Sequence, residues 1–443
     1  MPALYLLWRA ARGDLVLAAI TGGAIHDGAA MKVIVVGAGI AGLTLANFLT
    51  RAGIRAEVFE AAAEIRPLGL GVNMLPHAGR LMRELGVFEE MRRRAVETRE
   101  STYFNRFGQH VYSEPAGLAA GYDIPQLSIH RADIQEPLLT AFQAAAGPGH
   151  LHLAHRCAGF DQDADGVTAR FIDTRSGEAL PPVRGDMLVA ADGIHSVIRR
   201  QLHPDEGEPV YSGVNMWRGA TVLPPFLDGA NMCRVGWLAT GKLVIYPIRN
   251  DVDGRGNQLV NWVAELEMAE FRRDKRDWNQ EGELDEFIEP FKDMAFDWLD
   301  IPAMLRRTES ILEYPMVDQD PLPFWGQGRV TLMGDAAHPM YPRGSNGAGQ
   351  AIIDGAALAR HLAAGGPIAA ALRAYEVERR PATAAVVLAN RRNPPDVILR
   401  EVYERTGDRP FRRIEDVISR AEMAALTDRY KQVAGYALDK SAG

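Results

Sequence analysis

The chain has 443 residues, enough for about three domains or two unequal ones, so a single small module is excluded. Hydrophobic residues make up 47% and charged residues 24%, which fits a globular protein with a substantial core and excludes global disorder. The formal net charge of −8 gives no electrostatic reason to bind nucleic acid. Cys157 and Cys233 form no Cys-x-x-Cys spacing, so neither a disulfide framework nor a metal site is expected, and a reducing cytoplasmic setting is.

In residues 1–30, Arg9, Arg12 and Asp14 interrupt a weakly apolar stretch and break the order of a signal peptide. Leu4 to Trp8 and Leu15 to Thr21 are too short to cross a bilayer, so no membrane partner is expected. Met31 directly precedes the first core strand. Residues 1–30 therefore read as an N-terminal extension, either a tail or a translation-start artefact, outside the fold.

Val33 to Val36 is a continuous β-branched run, the pattern of a parallel strand buried on both faces. It leads into Gly37-Ala38-Gly39-Ile40-Ala41-Gly42, then a helical segment ending near Gly53, then a strand Glu57-Val58-Phe59 closed by Glu60. Each part has a task at a dinucleotide: Gly37 permits a tight turn, Gly39 lets the backbone approach a pyrophosphate, and Gly42 allows close helix-to-strand packing. The helix N-terminus offers unpaired N–H groups to phosphate, and Glu60 is placed to accept from adenosine ribose hydroxyls. Two hairpin-like segments follow, Thr102 to Tyr112 and Asp123 to Ile129, both expected in one substrate sheet. Arg131, in Ser128-Ile129-His130-Arg131, reads on its own as a solvated arginine.

Met187 to Ala191 is a second buried-strand run, followed by the Asp192-Gly193 turn and a helix begun by Ser196 to Arg200. Taken alone, Asp-Gly is a turn. Residues 206–315 hold Trp217, Trp237, Trp262, Trp278 and Trp298 among strand-like stretches such as Lys242 to Ile248 and Leu259 to Leu266. Trp217, Arg218 and Tyr246 are placed near a substrate pocket, although core packing is the plainer role for any one aromatic. The most specific stretch is Val330-Thr331-Leu332-Met333 running into Gly334-Asp335-Ala336-Ala337-His338-Pro339, then Pro342-Arg343-Gly344-Ser345-Asn346-Gly347-Ala348-Gly349. An acid at a strand end suits polyol hydroxyls, and a glycine-rich loop entering a helix aims N–H groups at an anion.

Three ordered motifs resemble those of the FAD-dependent aromatic hydroxylases of the para-hydroxybenzoate hydroxylase class, across about Met31 to Pro381. The resemblance implies an α/β fold: a Rossmann-type FAD-binding domain with a mostly parallel sheet, an inserted antiparallel substrate sheet and C-terminal helices. It divides the chain into residues 31–98 with 130–205 and 316–365 for FAD, 99–129 with 206–315 for substrate, and a helical region 366–443. It assigns Gly37, Gly39, Gly42 and Glu60 to the ADP half of FAD and Asp192 to the pyrophosphate and NAD(P)H region. Gly334 and Asp335 fall to the ribityl chain, Gly347 and Ala348 to the flavin loop, Arg131 to the flavin's vicinity, and Pro342 to the pocket. NAD(P)H and O₂ enter as co-substrates.

The family's Pro-x-x-Gly-Gln-Gly-x-Asn loop reads differently here, with Ser345, Asn346 and Gly349 in place of Gly, Gln and Asn. That variant, with Asn390-Arg391-Arg392-Asn393-Pro394-Pro395, looks like the branch containing phenazine-carboxylate hydroxylases. The implied reaction is NAD(P)H-dependent hydroxylation of a small aromatic or N-heteroaromatic substrate, with no protein nucleophile. His338 and His195 are acid–base candidates for which turn or packing roles suffice. A flavin-dependent reductase, dehydrogenase or halogenase is the alternative, the last without its Trp-x-Trp-x-Ile-Pro segment; a non-enzymatic flavin-binding protein is another. The tail beyond residue 356 reads as helical, with breaks at Pro381 and Pro394-Pro395, in a monomer or homodimer.

Overall fold

The structure, a computed structural model, describes residues 31–66, 69–269, 280–392 and 394–438. The extension 1–30, Trp278 and Asn393 lie outside the described residues. The strand Lys32–Val36 sits inside a six-stranded sheet, flanked in parallel by Arg55–Phe59 and Met187–Ala190. Val330–Leu332 and Leu151–His152 extend it in parallel, and Gly326–Gln327 closes one edge antiparallel. Val33, Ile34 and Val35 are wholly buried, as the unbroken apolar run requires of a strand covered on both faces. The helix Ile40–Arg51 follows the first glycine turn and packs on Arg131–Ala146 and Gly347–Ala363.

An eight-stranded sheet forms the second layer system. Its centre is Ile311–Asp318, Val210–Leu223, Gln258–Glu267, Gly241–Arg249 and Asn231–Trp237, paired antiparallel in that order. Glu100–Phe104 joins Asn231–Trp237 in parallel and pairs with His110–Pro115. Side chains alternate across it with period two. One face buries Trp217, Cys233, Leu243, Ile245 and Trp262 against Phe287 and Phe291. The other face carries Met216, Arg218, Arg234, Lys242, Tyr246 and Glu265 toward a cavity.

Three expectations are corrected. Of the two hairpin-like segments, only the first joins the large sheet; Gln126–His130 pairs with Gly71–Met74 and Val96–Thr98 in a separate three-stranded sheet. Its apolar residues Leu127 and Ile129 are wholly buried in the nucleotide-domain core, and that burial decides its partner. Pro381 breaks nothing: Ile368–Arg392 is one helix across it. Buried Arg379, Thr383, Val386 and Val387 anchor the helix on both sides of the proline, and packing outweighs one lost hydrogen bond. Trp217 lies on the core face, 2% exposed and stacked on Phe287 at 4.9 Å, not in the pocket. Its neighbour Arg218 necessarily faces the other way.

The C-terminal helices dock on the cavity end of the large sheet through a buried ionic cluster. Lys242, 1% exposed, lies 3.0 Å from Glu265 and also pairs with Asp396, which immediately precedes the helix Val397–Thr406. Removing one partner of such a cluster strands the others in a poorly solvated place. Lys242→Met leaves two buried carboxylates facing each other, and a loss of about 3–5 kcal/mol in urea unfolding is expected. Restoring charge balance with Glu265→Gln in the same chain should recover part of it.

Candidate active site

The first glycine turn is dictated by close contacts. Gly37 has φ +104°, and a Cβ there would lie 2.4 Å from the Ala191 carbonyl oxygen. A Cβ on Gly42 would lie 1.9 Å from the Gly37 carbonyl oxygen. Both positions therefore exclude any side chain, whereas Gly39 faces open space and its helix has no side-chain cap. An uncapped helix N-terminus with nothing above its glycine fits a diphosphate. Glu60 accepts from the Ala38 and Ala62 N–H groups, each at 2.8 Å, so it also holds the turn from the far strand.

The second and third motifs are tied together by a residue that sequence reasoning passed over. Arg199, 1% exposed, donates to the Ala336 and Ala337 carbonyls at 2.9 Å and to Glu206 at 2.7 Å. Arg199 thus ties the helix that follows the Asp192 turn to the Gly334–Ala336 turn. Asp192 accepts from the Val197 N–H at 3.2 Å through one oxygen, while its other oxygen is buried with no partner. An orphaned carboxylate oxygen beside the glycine turn suits a hydroxyl donor from a cofactor. His195, in the same turn, is exposed.

His338 is buried and bonds to Asp354 at 2.5 Å, and Asp354 also accepts from the Gly334 N–H at 3.1 Å and from Arg379 at 2.8 Å. Burial opposes ionisation of Asp354, but the charges of His338 and Arg379 outweigh it and hold the carboxyl at about 2. His338 therefore braces the flavin-motif turn from behind rather than meeting a substrate. Asp354 ends the most specific stretch of the sequence but has no assigned role there, and Arg379 reads only as part of a helix break. Their role depends on a contact between two helices.

A cavity of about 910 Å³ lies between the Asp335 turn, with the loop that follows it, and the polar face of the large sheet. Arg131, Asp335, Pro342, Gly347 and Ala348 line one side, and Arg218 and Tyr246 line the other. Gly347 opens a 17-residue helix with no side-chain cap, so its free N–H groups point toward the cavity. Gly71 joins the two sides. Its carbonyl accepts from Tyr246 at 2.9 Å and from Arg218 at 3.1 Å, and its N–H donates to Asn261 at 2.8 Å. The residues thus fit FAD: two helix starts without side-chain caps, an orphaned acid beside the first glycine turn, and a cavity at the third motif.

The chain matches the FAD binding domain family over residues 30–390 and belongs to it. It is an FAD-dependent monooxygenase of the aromatic hydroxylase class, and NAD(P)H is the family's typical co-substrate. Among its relatives, the phenazine 1,6-dicarboxylic acid hydroxylase PhzS of Lysobacter antibioticus is 39% identical over 403 residues, covering 90% of this chain and 96% of that protein. The 3-hydroxybenzoate 6-hydroxylase of Klebsiella oxytoca is 31% identical, covering 82% and 87%. The structure of Klebsiella pneumoniae HpxO with FAD and uric acid superposes with a TM-score of 0.68 at 25% identity, covering 92% of this chain and 95% of that one. No described helix is long and apolar enough to cross a membrane.

Two outcomes follow from this geometry. Gly42→Val should abolish FAD retention through purification, because the new side chain displaces the turn; flavin absorbance per protein measures it. Burial pushes the Asp192 carboxyl up from 3.8 to about 6. The flavin-free folded protein therefore keeps a proton there that the unfolded chain has released, and the stability this confers at low pH is lost as pH rises through 6. Relative to Asp192→Asn, wild-type unfolding stability should decline from pH 4 to 6.5 in urea titrations; a parallel pair of curves would contradict the assignment.

Proposed function

We propose that the protein hydroxylates a planar aromatic or N-heteroaromatic acid, with the ring lying between the flavin turns and the polar face of the large sheet. One observation carries this reading: Asp335, the Gly347–Ala348 helix start and Arg131 line one and the same cavity as the polar face of the large sheet. In this reading Gly37, Gly39, Gly42 and Glu60 receive the ADP half of FAD. Asp192 faces the pyrophosphate and pyridine-nucleotide region, and Gly334 and Asp335 face the ribityl chain. The N–H groups at Gly347 and Ala348 meet the pyrimidine edge, where the positive end of the helix favours the negative charge of the reduced ring. Arg131, at the start of its own helix, adds a further positive charge on that side.

Bound FAD supplies the redox chemistry, accepting hydride from NAD(P)H and passing one oxygen atom of O₂ to the ring. The chain's own contribution is placement and dryness. Met216, Val244, Val263 and Leu312 give the cavity an apolar wall that holds a ring and excludes water. Tyr246 and Arg218, fixed on Gly71, set the distance between that wall and the flavin turns. Pro342 begins the short turn Pro342–Gly344 on the cofactor side of the cavity.

FAD-loaded protein should oxidise NADH or NADPH faster when a phenazine, quinoline, pyridine or benzoate carboxylate is present. Under ¹⁸O₂ the product of the accepted ring should carry one labelled oxygen by mass spectrometry. NAD(P)H oxidation that no ring in the panel stimulates, or stimulated oxidation that yields only hydrogen peroxide, would contradict the reading.

A further inference from the structure

A second cavity, of about 490 Å³, lies at the end of the large sheet where the helices Ile368–Arg392 and Val397–Thr406 meet it. The alternation of one strand fixes its position. Val214 and Met216 share a face, about 7 Å apart along the strand; Val214 lines this cavity and Met216 lines the larger one. The two spaces are therefore neighbours on the same face. Among the described residues only Arg343 lines both. It stands in the turn Pro342–Gly344, just ahead of the Gly347 helix start, and its Nε is buried without a hydrogen-bond partner.

The lining of the second cavity combines two chemistries. Val214, Trp237, Leu238 and Pro394 give it an apolar side, with a half-buried indole against which a planar ring can stack. Arg343, Arg391, Arg392 and Arg400 supply positive charge against a single acid, the exposed Glu267. Arg391 is already neutralised by Asp318 at 2.7 Å and Asp320 at 2.6 Å. Arg400 lies 3.8 Å from Glu401, which Arg405 holds more closely at 3.1 Å. Among the described residues Arg343 and Arg392 have no carboxylate within ion-pair distance; the Arg343 charge is felt by Asp396, which Lys242 already holds. The buried Ser212 hydroxyl, also in the lining, has no partner either. The cavity is thus net positive, with two buried polar atoms unpaired. A phosphate would use the arginines and leave the apolar side unmatched, and a neutral ring would do the reverse. An aromatic acid matches both.

We propose that this second cavity is the receiving site for the acidic aromatic substrate, which settles there against Arg392 and Arg400 and enters the larger cavity past Arg343. The inference rests on the hydroxylase reading above and adds the route by which its site is filled. A cleft of one sign concentrates ligands of the other and speeds their association by about tenfold or more, an advantage that salt screens within about 10 Å.

Both native cysteines are buried, so a thiol introduced at the exposed Arg392 can be modified selectively on folded protein. FAD-loaded Arg392→Cys is compared in three forms: unmodified, carrying a trimethylammonium group that restores the positive charge, and carrying a sulfonate that reverses it. Stopped-flow flavin absorbance gives the association rates of phenazine-1-carboxylate and of unsubstituted phenazine. At low salt the carboxylate should bind the positive form about threefold or more faster than the unmodified one, and the negative form slower by a similar factor, the spread collapsing near 0.5 M salt. Phenazine should bind all three at one rate. The same forms of Arg156→Cys, at an exposed position on the strand His155–Gln162 outside both cavities, should differ by less than about twofold. Arg343→Met should slow the carboxylate and leave phenazine unchanged. Equal carboxylate rates across the Arg392→Cys forms, an equal spread at Arg156, or an equal effect on phenazine overturns the route while the hydroxylase reading stands. A wild type that retains FAD yet binds neither compound overturns the aromatic-acid reading and the route with it.

Discussion

The main chain of Gly71 is the point on which the site depends. Three side chains from the large sheet grip it: Tyr246 and Arg218 donate to its carbonyl and Asn261 accepts from its N–H. Gly71 begins the strand Gly71–Met74, which belongs to the nucleotide-binding half through its pairing with Gln126–His130. A Cβ on Gly71 would lie 2.7 Å from the Tyr246 ring, so the approach is available to glycine alone. The large sheet is thereby fixed at hydrogen-bond distance from the nucleotide-binding half. Without that grip, the flavin turns and the polar face would be two surfaces rather than two walls.

The rest of the architecture keeps those walls in register. Arg199 couples the second and third cofactor motifs, and the His338–Asp354–Arg379 network braces the third from the helix behind it. The C-terminal helix Arg420–Ala434 bears directly on the flavin loop. A Cβ at Gly344 would fall 1.4 Å from the Tyr430 hydroxyl, and that hydroxyl donates to Asn390 at 2.8 Å. The tail is therefore a backing for the loop. Buried polar contacts of this kind are worth little individually, but each leaves an unsatisfied partner if broken.

The cofactor half was legible in the sequence because its constraints are local. A buried parallel strand must be uniformly apolar, and Gly37 and Gly42 are demanded by contacts within a few ångströms of their own turn. The substrate half was legible only in outline. Trp217 and Arg218 are adjacent, so period-two alternation requires that at most one of them line the cavity; the alternation signals that choice, but which face is inward depends on partners distant in sequence. The irregularity between Tyr211 and Asn215 shifts that register further. Pro381 misled for a related reason, since local propensity cannot register Arg379 reaching Asp354 across to another helix. Lys242, Glu265 and Asp396 were unreadable because no spacing in the chain announces a cluster assembled from two strands and a helix start.

The account's central claim is that one cavity serves both flavin and substrate, and diffraction from crystals of FAD-loaded protein soaked with phenazine-1,6-dicarboxylate addresses it directly. The expected map shows the isoalloxazine pyrimidine edge on the Gly347 and Ala348 N–H groups, with a second planar ring over Val244 and Val263. Flavin density outside this cavity, or a ring bound on the Trp217 side of the sheet, would contradict it.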